Sequence, residues 1–443
     1  MVKSRLKEFI NSPYKSLFAI SLPIMAAGIV ETLYNIVDTV YVGRLGPEAL
    51  AAITFSWPIF FFLVSVSIGL NAGISSRLSR YIGEKNHKQA RNTMMHGLIL
   101  SILLGILITI CGLLSVKSLF IVSGATGAVL EMATEYIFLL LLGTVFLLVS
   151  YAITGIFSAQ GDTKTAMKID ISSLALNIIL APIFMFVLHM GIRGAALATV
   201  VAYLFALILC VYYVRKTKYL RFSMKYFKFS KVILKDIVMI GFFSSVMMII
   251  ISCTAIFLNR VMITFGTNNV AALGMIGRLE SLVYLPVYGL SVGAMTLAGM
   301  FYGAKRYDIL KKTTFKAVQI AVLISGFVSL IIFIFPEFFM RWFTNDPLVI
   351  AAAVPYVRLD VIALPFIAIT MILSRSMQAM GFGFPGLLIA LIRSLFIAVP
   401  LAYIFVFFLH FGYLSIAVAM IIASVFSAII NIIWFKRLVD KKA

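Results

Sequence analysis

The chain alternates long apolar runs with short polar connections. Twelve runs stand at approximately 16–42, 49–75, 93–116, 129–158, 167–189, 194–214, 235–264, 269–301, 313–336, 348–380, 385–409 and 413–435. About 20 apolar residues cross a bilayer as a helix, and every run meets that length. None shows the strict two-residue alternation of a transmembrane β-barrel. The pattern predicts an all-α polytopic membrane protein with twelve transmembrane helices. The first run is flanked by charge, is longer than a signal-peptide core and is not closed by a small-residue cleavage pattern, so it is expected to be a retained helix.

Composition agrees. Of 443 residues, 62% are hydrophobic and 12% charged, with a mean hydropathy of +1.09, whereas a soluble domain carries about 25% charged residues. The net charge of +21 would suggest nucleic acid were it not for its placement. Of 37 lysines and arginines, 28 fall on alternate connections. They are Lys3, Arg5, Lys7 and Lys15; five within 77–91; Lys164 and Lys168; eight within 215–235; five within 305–316; and Lys436, Arg437, Lys441 and Lys442. By the positive-inside rule both termini are cytoplasmic and the number of spans is even. The expected location is the inner (cytoplasmic) membrane of the cell. Membrane lipids are expected partners, with 215–235 placed to touch anionic headgroups, and no nucleic-acid role is expected.

Laid on itself at an offset of 220, the chain brings its special residues into register. Gly46 meets Gly266, Gly69 meets Gly289, Gly73 meets Gly293, Lys85 meets Lys305, Tyr136 meets Tyr356 and Gly161 meets Gly381. Near the ends of the fifth and eleventh runs the offset becomes 221, His189-Met190-Gly191 against His410-Phe411-Gly412. Six spans per copy is an even number, so the repeat is parallel. It predicts two six-helix bundles, 1–214 and 235–443, joined by a basic cytoplasmic linker at 215–234. Substrate is then expected between the bundles, with transport by alternating access.

Acids inside a bilayer cost roughly 2.5–3.5 kcal/mol each on insertion scales and so demand a reason. The first run carries Glu31, Asn35 and Asp38 on one helical stripe. Asn177 lies mid-way along the fifth run and Thr199 in the outer part of the sixth. These residues can converge on one polar pocket. Desolvation disfavours the charged form of a carboxylate, which suits an acid at this depth to loading and releasing a proton. The expectation is antiport: Asp38 takes a proton when open to the outside, expelling a cationic substrate, and gives it up when open to the inside. In the second bundle Glu280 is a secondary coupling candidate. Arg278 and Arg358 stand beside Glu280 and Asp360, but residues two apart on a helix do not face each other, so pairing between helices is expected. Asp170, beside Lys168, is read as an interface residue. Pro23 is a hinge candidate because it interrupts the helix that carries Asp38.

No enzyme signature is present. The four histidines are scattered, there is no H-E-x-x-H, cysteine pair or Gly-rich phosphate loop, and Cys111, Cys210 and Cys253 all lie in apolar runs. No metal site or cofactor is expected.

Several stretches together resemble the MATE (multidrug and toxic compound extrusion) family over nearly the whole chain. They are Ser21-Leu22-Pro23 through Tyr34-Asn35-Ile36-Val37-Asp38 to Gly43-Arg44-Leu45-Gly46, then Gly69 to Gly83, Gly161-Asp162, Leu176-Asn177-Ile178 with Pro182-Ile183-Phe184, and Arg393 to Ala402-Tyr403-Ile404-Phe405-Val406. The basic loop typical of the major-facilitator family is missing from 77–91. The acid on the first helix is similar to the DinF-like branch, whose polar pocket Asp38, Asn177 and Thr199 match. The departure is Ala181, where related sequences can place a second aspartate. A sodium site there lacks an oxygen ligand and a negative charge, which favours proton over sodium coupling, with Glu31 as a compensating acid. The NorM-like branch's acids in the seventh and tenth helices have no match, because Asp360 sits about two turns too early. The resemblance implies a monomeric, proton-coupled (alternatively sodium-coupled) exporter of amphipathic organic cations or drugs. A lipid or polysaccharide flippase of the same superfamily is the alternative.

Overall fold

The computed structural model describes residues 2–216 and 224–442. A short α1 (Val2–Asn11) precedes α2 (Pro13–Gly43), α3 (Pro47–Gly83), α4 (His87–Val122), α5 (Gly127–Leu142), α6 (Thr144–Ala159), α7 (Thr163–Pro182) and α8 (Gly191–Lys216). After the linker come α9 (Lys231–Met262), α10 (Thr267–Gly303), α11 (Tyr307–Ile334), the single turn α12 (Pro336–Met340), α13 (Pro347–Asp360), α14 (Leu364–Ala379), α15 (Gly383–Leu391), α16 (Val399–Tyr403) and α17 (Leu414–Asp440). No strand occurs among the described residues. Among the described residues, ten helices are long and apolar enough to cross a membrane alone. The fourth and tenth runs are instead bent pairs, α5 with α6 at 49° and α13 with α14 at 51°, which brings the number of spans to twelve.

Helix ends follow local chemistry. The Asn86 side chain accepts the Gln89 amide at 3.2 Å to start α4, and Asp346 accepts the Leu348 amide at 2.9 Å to start α13. Left-handed backbone closes equivalent corners in both copies: Gly46 and Gly266, Lys85 and Lys305, Gly161 and Gly381, His189 and His410. Lysine and histidine adopt that conformation at a steric cost of about 1 kcal/mol, and here they do so at matching positions.

The offset change has a structural cause. In the first copy α7 runs 20 residues into a π-helical turn at Ile183–Val187. In the second, α15 passes through an additional π-helical turn, Ile392–Ala398, before α16 and the matching π-turn Ile404–Phe408. A π-turn accommodates one extra residue without ending the helix. It carries the register from 220 to 221.

Contacts divide the chain into two compact units: unit 1, mainly Ala26–Phe242, and unit 2, Leu6–Met25 with Phe243–Ala443. Each has the same internal packing, α3 on α4, α5 and α6 in one and α10 on α11, α13 and α14 in the other. The core of unit 1 is built around Phe120, Tyr136, Ile137 and Leu140. That of unit 2 is built around Val283, Met340, Tyr356 and Val357. The units exchange helix halves. The start of α2, up to Met25, packs within unit 2, and the start of α9, up to Phe242, packs within unit 1. Pro23 lies just before that change of unit on α2.

Repeat-matched glycines make the exchange physically feasible. A Cβ on Gly73 of α3 would collide with the Ile237 carbonyl of α9, and one on Gly241 would stand 3.1 Å from the Gly69 carbonyl oxygen. In unit 2 a Cβ on Gly289 of α10 would stand 3.0 Å from the Ser21 carbonyl oxygen of α2, and one on Gly293 would collide with the Ser21 hydroxyl. Small residues at four-residue spacing allow this close backbone approach between helices in a bilayer.

Unit 1 adds polar fastenings. Asp236 of α9 pairs with Arg77 at 2.9 Å and Arg80 at 3.1 Å, both on α3. Of the linker expected at 215–234, residues 217–223 lie outside the described residues. The end of it is strapped to α4: Asn92 exchanges two hydrogen bonds with the Lys228 backbone, 2.9 and 3.0 Å. The Ser230 amide donates to His96 Nε2 at 3.0 Å, Phe227 packs on the His96 ring, and Arg91 sits over Tyr226.

Enlarging the grooves is therefore expected to destabilise the fold. Gly73→Val and Gly293→Val should each cost about 1–3 kcal/mol as overpacking, read as lowered thermal stability in detergent. Gly274→Ala, with nothing within 4 Å of its new methyl, should be neutral.

Candidate ion-coupling site

The site lies in unit 1, where the second part of α2 presents its polar stripe. Asp38 is half-buried, whereas Glu31 and Asn35 are exposed. On α7, Asn177 is 2% exposed and on α8 Thr199 is 6% exposed. Gly194 brings these two helices together: its Cβ would stand 2.6 Å from the Phe184 carbonyl carbon in the π-turn that ends α7. Across that contact Asn177 Nδ2 donates to Thr199 Oγ1 at 3.2 Å, and the Thr199 hydroxyl donates to the Ala195 carbonyl at 3.1 Å.

Asn177 Oδ1 is buried and has no hydrogen-bond donor. A buried amide oxygen needs a donor, because leaving one bare costs about 1–3 kcal/mol. Tyr34, one turn before Asp38, interacts with the Thr199 side chain and with the Asp38 charge. Tyr136 and Tyr203 also face Asp38. The expected trio of Asp38, Asn177 and Thr199 is therefore gathered into one cluster with Tyr34 as the bridge. No cation faces Asp38 among the described residues.

The remaining sequence candidates are placed differently. Glu31 does not join the Asn177–Thr199 pair; it faces Tyr203 and Asp170 instead. Asp170 thus has an acid for a neighbour rather than only Lys168. The Asn35 residue remains exposed, and its backbone carbonyl accepts the Thr39 hydroxyl at 2.8 Å. In unit 2, Glu280 of α10 and Asp360 of α13 lie close enough to act on each other electrostatically. Their nearby positive charge is Arg393, while Arg358 donates to the Phe333 carbonyl at 3.3 Å and Arg375 stacks over Tyr288. Among the described residues no group of three or more His, Cys, Asp or Glu side chains could hold a metal ion.

Sequence reasoning missed the three tyrosines. Tyr34 could have been found from its place one turn before Asp38. Tyr136 was visible only as a residue in register with Tyr356, because periodicity does not say which aromatic faces an acid.

The MatE family pattern matches residues 23–183 and 244–404, one match per copy of the repeat. The chain belongs to the MatE family. Relatives include the probable multidrug resistance protein YoeA of Bacillus subtilis, 25% identical, with 89% of this chain and 87% of that one covered. The probable multidrug resistance protein NorM of Thermotoga maritima is 26% identical, with 97% and 93% covered. Among solved structures, an outward-facing multidrug resistance MATE transporter of the MOP superfamily aligns with a TM-score of 0.93 at 31% identity, covering 97% and 96% of the two chains. A MOP superfamily transporter from Pyrococcus furiosus, described as having a binding pocket of reversed polarity that suggests a different function, aligns equally well at 31% identity with the same coverage. These relatives are transporters, and the chain is a multi-pass membrane transporter of the MatE family, not an enzyme.

Removing the Thr199 hydroxyl leaves Asn177 with two unfilled polar atoms. Thr199→Val should retain the fold and lower transport about tenfold, the equivalent of about 1.4 kcal/mol. Initial-rate transport in vesicles, with thermal stability as the control, checks this.

Proposed function

We propose that this transporter exports amphipathic organic cations or drugs in exchange for protons, by alternating access, with both termini in the cytoplasm. The observation that carries the reading is Asp38, an acid with no facing cation among the described residues, set among Tyr34, Tyr136 and Tyr203, with Tyr34 reaching the Thr199 side chain that accepts from Asn177. Such a group can hold a proton in one state and a positive charge in the other, which is what exchange requires. The relatives' description as multidrug resistance and multidrug export proteins supports export of drugs. The basic cytoplasmic connections support the orientation.

Proton coupling is favoured over sodium by Ala181, buried one turn beyond Asn177 and offering no oxygen. Hard cations need several oxygen ligands. Movement of a lipid or polysaccharide is the second reading, kept because the Pyrococcus relative's reversed pocket polarity is described as suggesting a function other than the usual one. Pro23 is the proposed hinge, since it stands where α2 passes from one unit to the other.

The deciding measurement is organic-cation export from proteoliposomes under separate proton and sodium gradients. A proton gradient should drive transport in the native protein, and Asp38→Asn should abolish that drive. Wild-type export by Asp38→Asn, or export responding to sodium alone, would sink the reading. Ala181→Asp should add a sodium response that the native protein lacks.

A further inference from the structure

At the end of unit 2 away from the basic connections, the second copy of the repeat departs from the first. In unit 1, α4 runs unbroken to Val122. The matching helix α11 stops at Ile334, because Pro336 stands where α4 has Val116 and lacks the amide that would continue the ladder. The chain then makes the single turn α12 and a short loop before α13. This corner carries chemistry that unit 1 lacks. Glu337, Phe338, Arg341 and Trp342 stand where unit 1 has Lys117, Ser118, Ile121 and Val122, and Arg358 of α13 stands where it has Phe138.

Two hollows, of about 360 and 260 Å³, share Glu337 and Val354 as a common wall. The smaller is lined by one charge of each sign, Glu337 and Arg358, together with the apolar Ile334, Phe335 and Phe338. Arg341 donates to Glu337 twice, from Nε at 3.2 Å and Nη2 at 2.7 Å, and both bonds end on Oε1. Oε2 is left without a donor. Arg358 is exposed and donates from Nε to the Phe333 carbonyl at 3.3 Å, which leaves its two Nη groups open. Ile334 is also the last member of an exposed apolar stripe on α11, Leu323, Phe327, Leu330 and Ile334, whose spacing keeps it on one helical face. Phe338 clusters with Phe339 and Trp342, ring centroids 5.0–5.4 Å apart, and tryptophan marks membrane–water interfaces.

We propose that the hollow between Glu337 and Arg358 binds a phospholipid whose zwitterionic headgroup carries a primary amine, in the leaflet away from the basic connections. That leaflet is the outer one on the orientation proposed above. The open Nη groups of Arg358 present the planar fork that takes a phosphate through two parallel hydrogen bonds. The free Oε2 of Glu337 accepts from the ammonium, which brings three donors. One acyl chain then follows the stripe from Ile334 toward Leu323. Bulk lipid covers such a stripe on any membrane helix; the two opposite charges at the depth where α11 ends are what select a headgroup. A quaternary choline amine offers Glu337 no N–H, and a glycerol headgroup brings no positive charge to it. Both fit the hollow less well than ethanolamine.

The test is native mass spectrometry of the full-length protein in detergent, with dioleoyl phosphatidylethanolamine, phosphatidylcholine and phosphatidylglycerol added at equal concentrations. The native protein should retain the ethanolamine lipid about tenfold more than either other, the scale of one hydrogen bond to a charged group. Glu337→Gln, at an exposed position that should not disturb folding, should bring the ethanolamine and choline lipids level. Arg358→Gln should lower retention of the ethanolamine lipid about tenfold. Lys117→Gln, at the matching position of unit 1, should leave the preference as it is. Equal retention of the three lipids by the native protein overturns the assignment without any variant. So does a preference that survives Glu337→Gln, or one that Lys117→Gln removes. A chain inserted the other way round would carry the site to the other leaflet and keep the preference, so failure of the orientation reading is distinct from failure of this one.

Discussion

Close backbone contact at four matched glycines is the constraint on which the rest of this structure rests. Gly69 and Gly73 accept the start of α9, and Gly289 and Gly293 accept the start of α2. In a bilayer there is no hydrophobic gain from burying one apolar helix against another, so packing depends on how closely the surfaces fit. Glycine removes the side chain that would hold the backbones apart. With those half-helices seated, α2 has to continue into unit 1, and its polar stripe then arrives beside α7 and α8. The position of Asp38 is thus a consequence of a steric fit many residues away.

The two units share a scaffold and differ in their polar chemistry. Packing partners, corners and bent spans all recur. The polar groups do not. Unit 1 brings an acid together with an asparagine, a threonine and three tyrosines, whereas unit 2 brings together two acids and an arginine. The fastenings differ too. Asp236 ties α9 to Arg77 and Arg80 in unit 1, while the matching positions in unit 2 are Ser16, Leu297 and Met300. A repeated backbone leaves side chains free to diverge as long as the glycine grooves are kept.

Much of this was legible in the sequence, and the reasons are specific. Spans were readable because a bilayer enforces long apolar runs. The repeat was readable because a side chain in the grooves would meet the facing helix, so Gly69, Gly73, Gly289 and Gly293 stand in register. The grouping of Asp38, Asn177 and Thr199 followed from depth and from the family resemblance. What lay beyond reach depended on rotation about helix axes and on long-range partners. The bend after Leu142, the seating of α2 up to Met25 within unit 2, the bridging role of Tyr34 and the Glu280–Asp360 contact are all of that kind. The one-residue slip between Gly381 and His410 was visible as a number, but only the π-turn at Ile392–Ala398 explains it.

The exchange of half-helices bears on how such a chain folds. A single copy of the repeat, made as a separate polypeptide, would leave its own groove at Gly69 and Gly73 empty, because the segment that fills it belongs to the other copy. Each unit is thus fully packed only once both halves of the chain have been made, which ties the folding of the first copy to the synthesis of the second.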